Sequence, residues 1–123
     1  MNRELQIAIE AAKNATLLCG NYLASEVNKQ HEIHFEGNHE KIEADQIAED
    51  IFLEEISKKV PKYSYISEET QKNTNEDIQF IIDPIEGTSN FLRGNPLFAT
   101  QIAVLYKKEL VAGQLFNLTQ GGQ

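Results

Sequence analysis

The stretch IIDPIEGTSNF, residues 81–91, joins a short apolar run to acidic residues and then to a glycine followed by two hydroxyl residues. Its leading isoleucines belong to the run IQFIID, which predicts a β-strand that ends at Asp83. Pro84 fixes the next backbone angle and lacks an amide donor, and Gly87 permits a sharp local conformation. We therefore expect the chain to turn directly after Asp83 and to present this carboxylate at the mouth of a sheet.

The residues that follow Asp83 allow two interpretations. Glu86 can bring a second carboxylate to the same side, and the amides of Thr88 and Ser89 can open a turn that receives phosphate oxygens. Two hard anionic ligands beside such a turn suit magnesium, which prefers carboxylate and carbonyl oxygens. The same composition is also common in ordinary turns, so these residues alone do not decide between a metal site and a turn.

Outside this stretch, the apolar pattern predicts two long helices. Apolar residues recur at steps of three and four from Asn2 to about Val27, and again from Ala44 until Pro61 ends the pattern. The polar segment between them, NKQHEIHFEGNHEKIEA, is expected to be a loop with at most a short strand at its centre.

The remaining segments predict strands. YSYIS and IQFIID are brief β-branched and aromatic runs separated by the polar EETQKNTNED. Residues 98–118 predict a hairpin that turns at residues 107–109. The expected fold class is α+β, with two N-terminal helices packed on a mainly antiparallel sheet.

Composition limits the possible classes of function. The chain has 123 residues, enough for one domain at most, and its formal charge of -8 disfavours a nucleic acid or an anionic membrane as the main partner. The lone Cys19 cannot form an internal disulfide, which favours a reducing compartment, and its helical core position favours packing over reactivity. We find no signal-peptide pattern and no run of membrane-spanning length, so a cytoplasmic location is expected.

Further acidic residues extend the pattern around Asp83. YISEET ends a predicted strand with Glu68 and Glu69, and Asp45 stands near the start of the second helix. Together with IIDPIEGTSNF, these segments resemble the N-terminal half of the inositol monophosphatase family of magnesium-dependent phosphatases. That family's motifs read as an Asp at the start of a helix, a Gly-Glu-Glu segment and Asp-Pro-Ile/Leu-Asp-Gly-Thr-Thr-Asn-Phe. The resemblance implies that residues 1–123 form the N-terminal portion of the layered α/β sugar-phosphatase fold.

The resemblance also implies a set of metal ligands. Glu68, Asp83 and the backbone carbonyl of Ile85 match the ligands of a first Mg²⁺. Asp83 also matches a ligand that bridges to a second ion, for which Glu86 occupies the position of the family's second aspartate. Asp45 matches an acidic residue at the rim of the same cluster.

Catalytic and phosphate-binding roles follow from the same resemblance. Thr88, assisted by Glu68, would orient the water that attacks phosphorus, and Asp45 lies at the edge of this catalytic group. The amides that follow Gly87, those of Thr88 and Ser89, would hold the phosphate of a small phosphorylated substrate.

The sequence departs from the family pattern in composition and in length. Glu86 replaces an aspartate and reaches about one methylene further, which predicts weaker or altered binding at the second metal position because Mg²⁺ tolerates displaced ligands poorly. Ser67 replaces the glycine of the acidic motif, and Ser89 replaces a threonine while retaining the hydroxyl. The family's C-terminal half has no counterpart here, so we expect weak or no activity from the chain alone, and an uncovered part of the sheet.

Two functions remain open. The first is magnesium-dependent hydrolysis of inositol monophosphate or a related small phosphate, with a separately encoded C-terminal half or a homo-oligomer completing the enzyme. The second is a non-catalytic remnant that acts in oligomerisation or regulation.

Two other groups of residues receive structural interpretations. The histidines His31, His34 and His39 match no zinc spacing and are expected at the surface. The acidic run at residues 49–55 is expected to form mostly the solvated face of the second helix.

Overall fold

Within the residues that it describes, the computed structural model of the chain contains two helices followed by a five-stranded sheet. These residues are 2–30, 38–67, 71–72, 75–86 and 99–117. The elements are α1 (Arg3–Gln30), α2 (Asn38–Lys59), β1 (Ser64–Ile66), β2 (Gln71–Lys72), β3 (Ile78–Glu86), β4 (Ala99–Tyr106) and β5 (Glu109–Asn117). The predicted α+β class is confirmed. Neither described helix has an apolar stretch that would let it cross a bilayer.

Helix α1 begins at a side-chain cap. Oδ1 of Asn2 accepts a hydrogen bond from the backbone N of Leu5 at 2.7 Å, and so satisfies a donor that has no partner within the first turn. Its alanines Ala8, Ala11, Ala12 and Ala15 are fully buried. Side chains this small let α1 lie close to both α2 and the sheet, which it contacts along β4 and β5. The first predicted helix is confirmed, and it continues from about Val27 to Gln30.

Helix α2 starts earlier than its apolar pattern predicts. It begins at Asn38 rather than near Ala44, so the loop prediction is wrong for residues 38–43 and for the last turn of α1, while residues 31–37 lie outside the described part. The extra turn contains glutamate and lysine, which favour helix without needing an apolar face. The predicted end is confirmed, since α2 stops at Lys59 before Pro61.

The acidic run of α2 is only partly solvated, which corrects the prediction for residues 49–55. Glu49 and Glu55 are 6% and 9% exposed, whereas Asp50 is exposed. Glu55 forms ion pairs with Lys58 at 3.8 Å and with Lys59 at 3.6 Å, so its charge is partnered at the end of the helix. Glu49 is also buried, and it lies near the middle of α2.

The strands form a mainly antiparallel sheet, as predicted, and their order in it is β2-β1-β3-β4-β5. The exception is the parallel pair β1 and β3, in which Ile66 lies beside Ile81. The short β2 was not predicted, because a strand of two polar residues carries no apolar pattern of its own and depends on its neighbour β1.

The helices cover one face of the sheet. Phe80 and Val104 are fully buried on that face, and they belong to one core cluster with Phe52 of α2 and Leu23 of α1. Side chains alternate along a strand, so the intervening residues point to the opposite face, which we call the far face. The far face exposes the large apolar side chains Ile66, Ile81 and Leu110.

Strands β4 and β5 form the predicted hairpin. Tyr106 pairs with Glu109, and the two residues between them, Lys107 and Lys108, have positive φ angles of 50° and 70°. This conformation matches the twist of the strands, although glycine or asparagine adopts it at less cost than lysine. The hydroxyl of Tyr106 accepts a hydrogen bond from Nδ2 of Asn2 at 3.1 Å, which joins the hairpin to the start of α1.

Candidate functional site

Asp83 lies on the far face near the end of β3. Its neighbour Ile82 is buried under the helices, and alternation along the strand places the half-buried Asp83 carboxylate on the opposite side. Nε2 of Gln101, the residue opposite on β4, donates to Oδ2 of Asp83 at 3.4 Å. This contact is long for a hydrogen bond to a charged group, and no described lysine or arginine forms an ion pair with Asp83. The carboxylate therefore keeps acceptor capacity for a cation.

The chain does not turn directly after Asp83, contrary to the prediction. Strand β3 continues to Glu86, and its register shifts because Asp83 lies opposite Gln101 whereas Glu86 lies opposite Ala99. Between these two pairs the chain advances by three residues along β3 but by only two along β4, which is the geometry of a β-bulge. A bulge accommodates Pro84, since a proline cannot donate to a regular ladder.

The bulge has a consequence for the backbone. A bulge leaves one residue out of the ladder and bends the strand. The irregular stretch between Asp83 and Glu86 contains Ile85. The family resemblance assigns the carbonyl of Ile85 to the first metal, and the regular pairing of β3 with β4 is interrupted at this residue.

The parallel pairing of β1 and β3 brings the end of β1 to the same edge of the sheet. Ile66, the last residue of β1, lies beside Ile81, so the chain leaves β1 next to the segment that carries Asp83. Ser67, the first residue after β1, is 9% exposed. Its hydroxyl donates a hydrogen bond to Oε1 of Glu49 on α2. Three elements thus meet at this edge, namely α2, the end of β1 and the end of β3.

The predicted site residues differ in how far the structure describes them. The side chain of Asp83 is described. The positions of Asp45, Ile85 and Glu86 are described as part of α2 or β3, without their side chains. Glu68, Gly87, Thr88 and Ser89 lie outside the described residues. Asp45 comes one helical turn before Glu49, so the two positions share a face of α2. Convergence of the acidic side chains around one ion stays a prediction.

Among the residues with described side chains, no three of the histidine, cysteine, aspartate and glutamate groups lie close enough together to hold a metal ion. The predicted histidine positions add nothing to this set, because His31 and His34 lie outside the described part and the side chain of His39 is not described. The donors that the resemblance assigns, carboxylates and one carbonyl, still fit Mg²⁺ in chemical type. Asp83, which forms no ion pair with a described lysine or arginine, agrees with a cation at this edge.

Glu49 is the residue of this region that sequence reasoning missed. The available signal was its position between the buried residues Ala48 and Phe52 and one turn after Asp45, which places it toward the core face of α2. Burial and then the nearby charge of Glu49 raise the pKa of Tyr65 on β1, in agreement with a carboxylate held against the end of this strand.

A groove of about 410 Å³ runs over the far face and reaches Asp83. Its lining includes Ile81, Asp83, Gln101, Ala103, Leu110 and Gly113. At its floor, Ala103 lies opposite Gly113, and a Cβ added to Gly113 would meet no atom within 4 Å. The groove therefore has an apolar floor with a polar end at the candidate site.

Comparison with known proteins gives a family-level match. A sequence profile described as the inositol monophosphatase family matches residues 1–121. The inositol-1-monophosphatase of Mesorhizobium japonicum is 46% identical over 77 residues, which are 61% of this chain and 29% of that protein. The Nus factor SuhB of Escherichia coli K12 is 32% identical over 98% of this chain and 49% of that protein. The chain spans about half the length of such relatives.

Solved structures agree with the sequence comparison. The extragenic suppressor protein suhB of Bartonella henselae superposes with a TM-score of 0.75 at 33% identity, over 90% of this chain and 44% of that chain. The inositol monophosphatase of Anabaena sp. PCC 7120 gives a TM-score of 0.75 at 24% identity, over 94% of this chain and 42% of that one. The resemblance found from the motifs, including its restriction to the N-terminal half, is confirmed.

Proposed function

The chain belongs to the inositol monophosphatase family, and on this premise we propose that it supplies the N-terminal half of a magnesium-dependent phosphomonoesterase. The substrate is inositol monophosphate or a related small phosphate. The observation that carries the proposal is the Asp83 carboxylate, which lies beside the bulge of β3 and has no described cation as partner.

The register of the sheet supports the proposed pair of acidic ligands. Ile66 lies beside Ile81, and Asp83 follows Ile81 by two residues, so continuation of the same parallel register would bring position 68 beside Asp83. Ile66 is on the far face, and alternation would direct position 68 to that face as well, where Asp83 lies. Two carboxylates from neighbouring parallel strands would then face one shared space.

The proposed residues have distinct tasks. Bound Mg²⁺ would supply neutralisation of the phosphate and of the developing charge on the leaving group. Glu68, Asp83 and the carbonyl of Ile85 would hold the first ion, and Glu86 would contribute to a second with Asp83.

The segment that follows β3 would position water and phosphate. Thr88, with Glu68, would orient the attacking water, and Asp45 would lie at the rim of this group. The amides of Thr88 and Ser89 after Gly87 would donate hydrogen bonds to phosphate oxygens.

We propose that the second half of the family fold docks on the far face, whether it follows on the same polypeptide or is a separate chain. The relatives are about twice as long as this chain, and the far face exposes Ile66, Ile81 and Leu110 around a groove that ends at Asp83. Burial of these side chains would favour association. A cytoplasmic setting belongs to the same proposal and agrees with a free Cys19.

A non-catalytic role is the alternative. Relatives named Nus factor SuhB cover nearly all of this chain, and an exposed apolar face suits a regulatory partner or a second copy as well as a missing half. Under this alternative the chain would form a stable complex or homo-oligomer without any response to Mg²⁺.

Titration calorimetry of the chain with Mg²⁺ separates the two functions. The catalytic proposal expects saturable binding at millimolar or tighter concentration, which Asp83→Asn removes. Asp77→Asn makes the same substitution just before the opposite end of β3, at an exposed position, and should leave binding unchanged. Absence of Mg²⁺ binding together with a stable complex or oligomer would favour the regulatory function.

The enzymatic assay uses inositol 1-phosphate. We expect weak or no hydrolysis by the chain alone and Mg²⁺-dependent hydrolysis after addition of the C-terminal half of a full-length relative. Hydrolysis that Asp83→Asn leaves intact would contradict the proposed site.

A further inference from the structure

Glu49 is a buried carboxylate for which the proposed reaction has no task. It is 6% exposed on α2, and Oε1 accepts a hydrogen bond from the hydroxyl of Ser67, which is 9% exposed. We propose that Glu49 is a positioning residue that fixes the spacing of the metal ligands by holding Ser67 against α2. This inference rests on the proposed function.

The hydrogen bond connects two segments that each carry a proposed site residue. Along α2, Glu49 follows Asp45 by one turn, a separation of about 6 Å along the helix axis on one face. Along the strand, Ser67 is the residue directly before Glu68. The contact between Glu49 and Ser67 therefore ties the end of β1 to the helix that bears Asp45.

The direction of the side chains explains how this contact can act on the metal site without touching it. Ile66 is on the far face, and the hydroxyl of Ser67 points the other way, to α2. Alternation along the chain would turn position 68 back to the far face, the side of Asp83. Because a hydrogen bond to α2 holds Ser67, the carboxylate of the next residue would have few conformations available when it approaches Asp83.

The chemistry of the contact also favours a positioning role. Burial of a carboxylate is costly unless it is hydrogen-bonded, and the structure describes no lysine or arginine in an ion pair with Glu49. The buried Glu55 of the same helix is different, since it contacts Lys58 and Lys59. The carboxylate of Glu49 is instead directed at the end of the strand that leads to Glu68.

The test measures the Mg²⁺ affinity of the full chain by titration calorimetry, with urea unfolding of each variant as a parallel measurement. Ser67→Ala should weaken Mg²⁺ binding about ten- to a hundred-fold, as is typical when a residue that orients a metal ligand is removed. Ser67→Thr keeps the hydroxyl and should restore most of the affinity. Ser64→Ala is the matched control, because Ser64 is a buried serine at the other end of β1.

A second pair of variants tests the partner. Glu49→Ala should lower the affinity as Ser67→Ala does, and the double variant should be no weaker than either single one, because both remove the same contact. Glu55→Ala is the control for loss of a buried glutamate from α2. If Glu49→Ala fails to fold, the comparison of Ser67→Ala with Ser67→Thr and Ser64→Ala still tests whether the hydroxyl of Ser67 is needed for Mg²⁺ affinity.

The outcomes separate this inference from the function on which it rests. If the chain binds Mg²⁺ and Asp83→Asn abolishes binding while Ser67→Ala and Glu49→Ala bind within twofold of the unmodified chain, the positioning role is wrong and the metal site stands. Equal losses in Ser67→Ala and Ser64→Ala would also overturn it, since they would indicate a general effect of destabilisation. Failure of the unmodified chain to bind Mg²⁺ would overturn both.

Discussion

Replacement of Gly113 by valine should stabilise the isolated chain and weaken its association with the second half. Gly113 lies within β5 opposite Ala103, and a Cβ added there would meet no atom within 4 Å. Glycine inside a strand costs about 0.5–1 kcal/mol, and a β-branched side chain suits the extended backbone. We therefore expect Gly113→Val to raise the free energy of unfolding of the chain by about 1 kcal/mol.

The effect on association has the opposite sign. Gly113 forms part of the floor of the far-face groove, so a valine there occupies space that the second half would fill. Overpacking of a fitted interface costs about 1–3 kcal/mol. The dissociation constant should therefore rise about 5- to 150-fold.

Two assays measure these effects. Urea unfolding of the isolated chain gives the change in stability, and titration of the chain with the C-terminal half of a full-length relative gives the change in affinity. Gln79→Val is the control, because Gln79 lies on the far face of β3 outside the lining of the groove. Unimpaired association of Gly113→Val would refute docking in this groove, and a loss of stability would refute the reading of Gly113 as an unobstructed position.

Two further predictions concern the hairpin and the core. Lys108→Gly should stabilise the chain by about 0.5–1 kcal/mol in urea unfolding, because Lys108 has a φ of 70°, and Glu109→Gly, at the first strand residue, should not do so. Burial raises the pKa of the Cys19 thiol from 9.0 to about 12, so the stabilising effect of the neutral thiol is complete below pH 9 and is lost as the pH rises toward 12. Stability should fall by about 1 kcal/mol between pH 8 and pH 10 in excess of the fall measured for Cys19→Ala, and equal falls in the two proteins would contradict this assignment.

Local patterns were enough to predict the elements that have strong apolar periodicity. Helix α1 and the hairpin of β4 and β5 were predicted nearly to their ends, because each carries a repeat that the core face requires. The start of α2 at Asn38 was missed because residues 38–43 contain a single isoleucine among polar residues, so they have good helix formers without an apolar period. The bulge after Asp83 was predicted as a turn, since Pro84 excludes a regular ladder but does not distinguish a turn from an irregular strand.

The sequence predicted which residue types form the candidate site, but it predicted their positions in the fold only in part. Asp83 was placed at the end of an apolar run, and the structure puts it near the end of β3 on an accessible face. Glu49 was assigned to the solvated face because glutamate is rarely buried without a partner. Its partner Ser67 is distant along the sequence, and a contact of this kind arises from the packing of α2 against the end of β1, which no local pattern records.

The link between Asn2 and Tyr106 has a consequence for synthesis on the ribosome. The two residues are 104 positions apart, and α1 packs on β4 and β5, which are synthesised long after it. Helix α1 therefore lacks the strands on which it packs until the hairpin has left the exit tunnel. Contacts of such long sequence separation also form slowly. Folding of these elements during translation should consequently wait for the hairpin and then proceed in a single concerted step, so that a ribosome stalled before the hairpin would display α1 and α2 in a protease-sensitive form.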